Sequence, residues 1–408
     1  MLLAHLLRRL IQAGRLTVID ADGKTHGFGP GRDGPSVTIR LHDRALNIWL
    51  AVYPQLRLGE AYMDGTLTIE EGSLEDFLNL CCLNLSRKEP TLGSRVIAAL
   101  APIIRYVTQH NPIGRAQRNV AHHYDLSGTL YDLFLDRDRQ YSCAYFASPN
   151  YTLEQAQEAK KRHLAAKLLL EPGCKVLDIG SGWGGLGLYL NRVADADVTG
   201  VTLSREQYDL SRRRAAEAGV DDRVRFHLRD YRQDEGRYDR IVSVGMFEHV
   251  GAKHYDEFFA KLRDLLTDDG IAVIHSIGRT DGPGLTNPWI RKYIFPGGYI
   301  PALSEVLPAV ERSGLFVTDI EVLRLHYAET LKHWLRRFRA NRDKVAALYD
   351  ERFCRMWEFY LAASEAAFRY WDQMVFQIQI SRKLDTVPLT RDYIGAREQS
   401  RLDEATAA

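Results

Sequence analysis

The segment Val176-Leu-Asp-Ile-Gly-Ser-Gly-Trp-Gly-Gly185 determines the fold class that the sequence predicts. A short apolar run ends at Asp178, and a helical pattern follows over Leu186–Val193. Between them lie four closely spaced glycines, Gly180, Gly182, Gly184 and Gly185. This order predicts a strand, a tight turn and a helix N-terminus, which lets backbone amides approach a nucleotide-like ligand closely.

Asp178 narrows the ligand class, because it stands two residues before the first glycine of the turn. An acid there would repel the pyrophosphate of a dinucleotide, but it would attract the cationic amino acid moiety of S-adenosylmethionine (SAM). The residues therefore favour a SAM site over a nicotinamide or flavin site.

Strand and helix patterns alternate after Cys174, which predicts a parallel, doubly wound α/β sheet of the class I SAM-dependent methyltransferase (Rossmann-like) type. The predicted strands are Lys175–Ile179, Asp197–Thr202, Arg223–Leu228, Asp239–Val244 and Ile271–Ser276, with edge strands at Leu315–Leu323 and Val375–Ile380. The predicted helices between them are Arg205–Ala218 and Tyr255–Leu266.

A smaller α/β domain is predicted at the N-terminus. Its predicted strands are Leu16–Ile19, Ser36–Leu41 and Thr66–Ile69, with a helical stretch around Ala45–Tyr53. The proline-containing segment Lys88–Arg115 is predicted to connect the two parts, and helical periodicity resumes at Asn119. We therefore expect an N-terminal domain over residues 1–110, with a role in lipid binding or dimerisation, and a catalytic domain over residues 111–408.

Composition excludes several classes of protein. The 408 residues carry a net charge of +1, which gives no case for nucleic acid binding. The five cysteines show no metal-ligand spacing, their odd number argues against a disulfide framework, and we predict no metal site. No apolar run approaches the roughly 18 residues that span a bilayer. Met1–Leu10 is apolar at helical spacing, which fits either a helix packed on its own domain or one that touches a membrane surface.

Further segments carry a family resemblance. They are Ala121–Ser127 (AHHYDLS), Gln140–Phe146 (QYSCAYF), Gly200–Gln207 (GVTLSREQ), Gly245–Gly251 (GMFEHVG) and Ile274–Gly278 (IHSIG). Together with the glycine turn, this set resembles the cyclopropane fatty acid synthase family, which includes the mycolic acid methyltransferases. The resemblance implies transfer of a methylene unit from SAM to cis double bonds of phospholipid acyl chains. The N-terminal domain makes the chain more similar to the phospholipid-acting synthases.

An isolated alkene is a poor nucleophile, so its methylation develops a carbocation, and ring closure then needs a base that removes a proton from the added methyl group. Such a site needs aromatic faces, an anionic base and little water. The resemblance implies a bicarbonate ion as that base, held by the side chains of Glu248, His275 and Tyr327 and by the backbone amides of Cys143 and Ile277. Without the resemblance, Glu248 could be an ordinary strand-end carboxylate and His275 a core histidine.

Nine residues are predicted to bind SAM. Gly180, Gly182 and Asp178 would meet its methionine portion, with Tyr141 and Ser142 at the same end. The second sheet strand ends at Thr202 without the acid that many methyltransferases use for the ribose, and the resemblance implies Thr202 and Gln207 instead. Asp230 would accept a hydrogen bond from the adenine amine, and Tyr231 would stack on the ring.

The overall prediction is a cytoplasmic enzyme, peripherally associated with the inner face of the membrane and able to form a homodimer. Its partner is a phospholipid with unsaturated acyl chains. Three alternatives stay open: a fatty-acyl methyltransferase that gives methyl-branched or methylene chains, a non-catalytic SAM- or lipid-binding protein, and a methyltransferase acting on N, O or S nucleophiles of small molecules.

Overall fold

A computed structural model describes residues 2–86 and 128–407 of the chain. The predicted connection at 88–115, the start of the second helical pattern at Asn119 and the Ala121–Ser127 motif lie outside the described residues. The described chain divides into two compact units. The first contains residues 2–86, 285–296 and 327–373, and the second contains 128–284, 297–326 and 374–407.

The first unit is built on a four-stranded mixed sheet in the order β2-β1-β3-β4. Strand β1 pairs antiparallel with β2 and parallel with β3, and β3 pairs antiparallel with β4. The strands are β1 (Gly14–Ile19), β2 (Thr25–Arg32), β3 (Ser36–Leu41) and β4 (Leu67–Glu71). Its N-terminal helices are α1 (Leu2–Leu10), α2 (Leu46–Val52), α3 (Pro54–Met63) and α4 (Leu74–Ser86). The predicted strands and the helix around Ala45–Tyr53 are confirmed, whereas α3, α4 and β2 were not predicted.

The second unit contains a seven-stranded sheet in the order β10-β11-β9-β8-β5-β6-β7. Its strands are β5 (Lys175–Ile179), β6 (Asp197–Thr202), β7 (Val224–Leu228), β8 (Tyr238–Val244), β9 (Leu266–Arg279), β10 (Phe316–Val322) and β11 (Gln373–Ser381). Strands β5 to β9 pair in parallel, and β10 pairs antiparallel with β11. All seven predicted strands are confirmed, and the doubly wound prediction with them.

Helices accompany this sheet and cover strands that are buried on both faces. They are α5 (Gly128–Asp132), α6 (Leu153–Lys167), α7 (Gly185–Ala194), α8 (Arg205–Glu217), α9 (Tyr255–Leu265), α11 (Leu303–Ser313) and α15 (Asp392–Ala407). The chain enters the sheet at β5 and leaves it toward both edges, because β6 lies on one side of β5 and β8 on the other. Such a switch point opens a crevice at the carboxyl ends of the strands, where ligands bind.

Four further helices of the C-terminal half belong to the first unit: α10 (Pro288–Tyr293), α12 (His326–Ala340), α13 (Arg342–Leu348) and α14 (Glu351–Tyr370). The buried Trp289 explains part of this arrangement, because its ring lies edge-on to Phe359 and closes on Gly59, where any side-chain carbon would collide with the indole. Each compact unit is therefore built from separate stretches of the chain, and the domains 1–110 and 111–408 stay a prediction. The roles predicted for the two domains stay predictions.

Candidate active site

A single cavity at the carboxyl ends of β5, β6, β7 and β8 contains all nine of the predicted SAM-binding residues in its wall. These are Tyr141, Ser142, Asp178, Gly180, Gly182, Thr202, Gln207, Asp230 and Tyr231. Four separate segments of sequence therefore meet at one place. The wall also contains residues that the sequence did not predict for this role, among them Trp183, Arg232, Met246 and His249.

The turn after β5 brings backbone close to the cavity. Gly180 has a φ of +85° and Gly182 a φ of +54°, which favours glycine at both positions. A Cβ at Gly180 would lie 2.8 Å from the Cβ of Met246, in the segment after β8, whereas one at Gly182 would meet no atom within 4 Å. The first glycine is therefore required for close packing of two strand ends, and the second leaves open space beside the backbone.

Four buried polar atoms in this wall have no hydrogen-bond partner among the described residues: Asp178 Oδ2, Ser181 Oγ, Trp183 Nε1 and Arg229 Nε. Asp178 is only 1% exposed, and its burial raises the pKa of the carboxyl to about 7, although the positive charge of Lys160 opposes that rise. Buried polar groups are normally paired, so these atoms fit a wall that is completed by a ligand with its own donors and acceptors.

The residues predicted for the ribose and adenine are partly engaged with their neighbours. The hydroxyl of Thr202 donates to Gln207 Oε1 at 2.7 Å. Asp230 accepts from Arg232 Nε at 2.8 Å and from Arg232 Nη2 at 2.7 Å, and Tyr231 lies edge-on to Phe258. The carboxylate of Asp230 keeps free lone pairs, so it can still accept from an adenine amine, and Arg232 fixes its orientation.

Helix α6 holds the cavity segment at Gln140 and Ser142, on either side of Tyr141. The ammonium of Lys160 donates to Gln140 Oε1 at 2.6 Å and to Ser142 Oγ at 2.8 Å, and Gln157 Nε2 donates to the Ser142 carbonyl at 3.0 Å. The ring of Tyr141 packs edge-on against Tyr131. Sequence analysis missed Lys160, because nothing in a helix rich in charged residues singles out the lysine that is buried.

Glu248 lies in a short 3₁₀ turn over Phe247–His249, directly after β8. Its Oε1 accepts from the backbone amide of Ile277 on β9 at 2.7 Å, and its Oε2 has no hydrogen-bond partner among the described residues. The side chain is 9% exposed, and burial raises the pKa of the carboxyl to about 7. The amide of Ile277, predicted as a donor to bicarbonate, is thus already engaged by Glu248.

His275 lies on β9, and the amide of Gly245 at the end of β8 donates to its carbonyl oxygen at 2.9 Å. The imidazole is 2% exposed, and its Nδ1 lies 3.1 Å from Nε2 of Gln377 on β11. Burial and the charges of Lys160 and Lys167 hold the pKa of this imidazole well below its ordinary value. A neutral imidazole presents one N–H donor and one acceptor, which suits a hydrogen-bonding role.

The structure thus brings Glu248, His275 and Ile277 to the ends of two adjacent strands, as predicted. Cys143 is buried, follows Ser142 in the cavity segment, and its thiol donates to the Ala144 carbonyl at 3.3 Å. Tyr327 lies on α12 in the first unit, where it packs against Trp334 and Phe368. Its role toward bicarbonate stays a prediction.

The comparisons with known proteins agree with this geometry. A family model described as mycolic acid cyclopropane synthetase matches residues 112–378, and one described as a domain of unknown function matches residues 2–86. A probable fatty acid methyltransferase of Pseudomonas putida is 38% identical over 361 residues, covering 85% of this chain and 86% of that protein. The cyclopropane-fatty-acyl-phospholipid synthase of Escherichia coli (strain K12) is 42% identical over 263 residues, covering 64% of this chain and 67% of that protein.

A solved structure is similar as well. The crystal structure of a mycolic acid cyclopropane synthase complexed with SAH and CTAB has a TM-score of 0.62 at 35% identity, covering 65% of this chain and 97% of that one. The prediction that the chain is a SAM-dependent enzyme is confirmed by this similarity. The predicted fold class and the predicted family are both confirmed. The chain belongs to the mycolic acid cyclopropane synthetase family and is a SAM-dependent methyltransferase of the class I fold.

Proposed function

We propose that the chain is a cyclopropane-fatty-acyl-phospholipid synthase that transfers a methylene unit from SAM to cis double bonds of phospholipid acyl chains. The observation that carries this proposal is the buried Oε2 of Glu248, which has no hydrogen-bond partner in the part of the chain that the structure describes. The other carboxyl oxygen accepts from Ile277 on β9, the strand that also carries His275. Ring closure needs removal of a proton from the added methyl group, and a buried carboxyl with a pKa of about 7 suits proton exchange near neutral pH.

The cavity fits SAM, which supplies an electrophilic methyl group when bound. The carboxyl of Asp178, whose Oδ2 has no hydrogen-bond partner among the described residues, complements a cationic amino group, and the turn over Gly180–Gly182 admits the ligand close to the backbone. The SAH in the related mycolic acid cyclopropane synthase supports the same ligand class for this chain. SAH differs from SAM by the methyl group that the reaction transfers.

The base site also fits bicarbonate, which would supply the proton acceptor when bound. His275 can donate one hydrogen bond to an anion while it stays neutral. Glu248 near its pKa can hold or release a proton toward the same anion through Oε2, while Ile277 fixes Oε1. Burial of Glu248 and His275 keeps water, which would capture a carbocation, away from the reacting carbons.

A second outcome of the same chemistry is favoured by one comparison. The Pseudomonas putida relative, which covers 85% of this chain, is named a probable fatty acid methyltransferase. A hydride shift followed by proton loss would turn the same cation into a methylene chain or a methyl-branched alkene, and a saturated methyl-branched chain would further need a hydride donor such as a reduced nicotinamide. That product is therefore the second candidate.

We further propose that the enzyme works from the cytoplasm at the inner face of the membrane, with the first unit as the lipid-docking part. In that unit α1 packs against α2 and several large apolar side chains are exposed. Their exposed fractions are 54% for Leu2, 59% for Ile48, 46% for Trp49 and 63% for Val52. The exposed Arg8 and Arg9 lie in the last turn of α1, where they suit anionic headgroups.

Across the two described stretches of chain, none of the helices has the length and apolarity needed to cross a bilayer. Formation of a homodimer stays a prediction.

Incubation of the purified protein with SAM and monounsaturated phospholipid vesicles tests the proposal, with mass spectrometry of the fatty acid methyl esters as the readout. The expected product is one CH₂ heavier and resists mild hydrogenation that saturates alkenes. A methyl-branched or still unsaturated product would replace ring closure with the second candidate. Absence of any lipid product, with SAM consumed by small-molecule acceptors instead, would overturn both.

A further inference from the structure

The buried cation nearest to the cavity segment at Gln140–Cys143 is Lys160, in the middle of helix α6. The side chain is fully buried, and its ammonium is held by two uncharged oxygens, Gln140 Oε1 and Ser142 Oγ. Among the described residues, no carboxylate forms an ion pair with Lys160, although Asp136 and Asp138 favour its charged form from further away. Burial lowers the pKa of this ammonium to about 8, so it stays mostly charged at neutral pH.

A buried ammonium that only neutral oxygens surround is costly, because their dipoles replace the hydration of the ion incompletely. The same cavity also has a buried carboxyl without a full set of partners, that of Asp178, on which Lys160 acts electrostatically. A buried ammonium therefore lies behind the wall at Ser142 and a buried carboxyl lies in the wall at Asp178, and the two do not form an ion pair with each other. The ligand that complements both is a zwitterion.

Ser142 connects Lys160 to the cavity. Its hydroxyl oxygen accepts from the ammonium, so its own O–H is left to donate to another acceptor. Ser142 lies in the cavity wall, and Gln157 Nε2 fixes its carbonyl oxygen from the same face of α6. A negatively charged acceptor in the cavity would be stabilised by a hydrogen bond from this O–H and by the positive charge of Lys160 behind it.

We propose that Lys160 is a positioning residue that acts through Ser142 to recognise the carboxylate of the amino acid moiety of SAM, while Asp178 receives its ammonium. The two groups orient the methionine end of the ligand by its opposite charges. This inference rests on the proposed SAM site. It adds a residue outside the cavity wall and assigns a separate subsite to each charged group of the ligand.

Calorimetric binding of three ligands tests the proposal: SAH, its decarboxylated analogue with a 3-aminopropyl thioether, and 5′-methylthioadenosine, which lacks both charged groups. We expect Lys160→Met to lower the affinity for SAH by about tenfold or more, since it removes the charge that assists the hydrogen bond from Ser142 to the carboxylate. We expect the same variant to leave the other two ligands within about twofold of the wild-type protein, because they have no carboxylate.

Lys167→Met is the matched control, because Lys167 is also fully buried on α6 but pairs with Glu321 and Asp319. It should leave all three affinities unchanged. Equal weakening of the three ligands by Lys160→Met would show a scaffolding role and overturn the proposal, as would an unchanged affinity for SAH.

Should Lys160→Met fail to fold, Ser142→Ala removes the donating O–H instead. This variant should bind SAH more weakly and bind the decarboxylated analogue as tightly as the wild-type protein does. Weaker binding of both ligands would contradict the assignment. Failure of the wild-type protein to bind SAH would refute the proposed SAM site itself, which is a different outcome from failure of the Lys160 assignment.

Discussion

The backbone amide of Ile277 on β9 donates a hydrogen bond to Oε1 of Glu248, which follows β8, across 2.7 Å. This contact joins the ends of two adjacent strands through a side chain. It fixes one carboxyl oxygen and leaves the other, Oε2, without a partner among the described residues. The geometry suits a group that must keep its position while its protonation changes.

Glu248→Gln should lower kcat for lipid modification by about a hundredfold or more, since general acid–base groups contribute on this scale. The amide oxygen of glutamine can still accept from Ile277, so the fold should be retained. SAM affinity should change little, because Glu248 is absent from the wall of the SAM cavity. SAH release in the presence of unsaturated vesicles, compared with calorimetric SAM binding, measures both effects. Full activity of the variant would contradict the proposed role.

The affinity for SAH should rise with pH because Asp178 titrates near neutrality. Burial raises the pKa of this carboxyl to about 7, and only its ionised form attracts the ligand ammonium. Between pH 6 and pH 8 the ionised fraction increases from about a tenth to about nine tenths, so binding should tighten by up to about tenfold. Asp178→Asn should bind more weakly and lose most of this pH dependence. A wild-type affinity that is flat across this range would refute the prediction.

The stability of the ligand-free protein should respond to the same groups in the opposite direction. Asp178 and Glu248 have folded-state pKa values raised to about 7, so the native state binds more protons than the unfolded chain above about pH 4.5. Their contribution to stability is present below the unfolded pKa and is lost as pH rises through about 7. Asp178→Asn and Glu248→Gln should therefore raise the melting temperature at pH 8 relative to wild type by more than at pH 5. An equal shift at both pH values would contradict the linkage.

Gly180→Ala should weaken SAH binding and lower stability. A Cβ there meets Met246 at 2.8 Å on a backbone with a φ of +85°. Gly173→Ala is the matched control, because Gly173 has a similar φ of +77° and no atom within 4 Å of the added carbon. Both variants carry backbone strain of about 1 kcal/mol, but only Gly180→Ala adds a collision beside the cavity. Calorimetry and thermal melts separate the two effects, and equal losses of affinity would count against the turn as a binding element.

Trp49→Ala combined with Ile48→Ser should reduce binding to anionic phospholipid vesicles, since both side chains are exposed on α2. Leu389→Ser is a suitable control, because Leu389 is fully exposed in the second unit. Vesicle sedimentation with and without anionic lipid measures the effect. If the double variant at Ile48 and Trp49 binds vesicles as well as the Leu389→Ser control does, docking through α2 is wrong.

The sequence was sufficient to predict the catalytic sheet, because short segments rich in apolar residues alternate regularly with helical patterns after Cys174. The nine SAM residues lie at or shortly after the carboxyl ends of strands or in the segment before helix α6, and strand order alone brings most of them together. Strand β2 was missed, since the glycines and proline of Thr25–Arg32 are typical of a loop but are tolerated on an edge strand. Strand β9 begins at Leu266, earlier than predicted. The prediction missed its first residues because Thr267–Gly270 is polar.

Lys160 and Gln377 could not be predicted for a different reason. Their roles depend on which face of an element is covered and on partners that are distant in sequence, as the 102 residues between Gln377 and His275 show. Charge and hydropathy patterns indicate amphipathic faces, but they do not identify a polar side chain that the fold buries deliberately beside a site.

The packing of Trp289 against Gly59 limits how this enzyme can be truncated and how it can recombine with relatives. A fragment that starts after residue 110 would keep the tryptophan but lose the glycine and Met63, whose sulfur accepts from the indole N–H. The catalytic sequence is therefore no freestanding cassette, since truncation would uncover a large aromatic surface prone to aggregation. Recombination between relatives would have to exchange α3 and α10 as a matched pair. The two helices are far apart in sequence, so a single crossover between Met63 and Asn287 would split the pair.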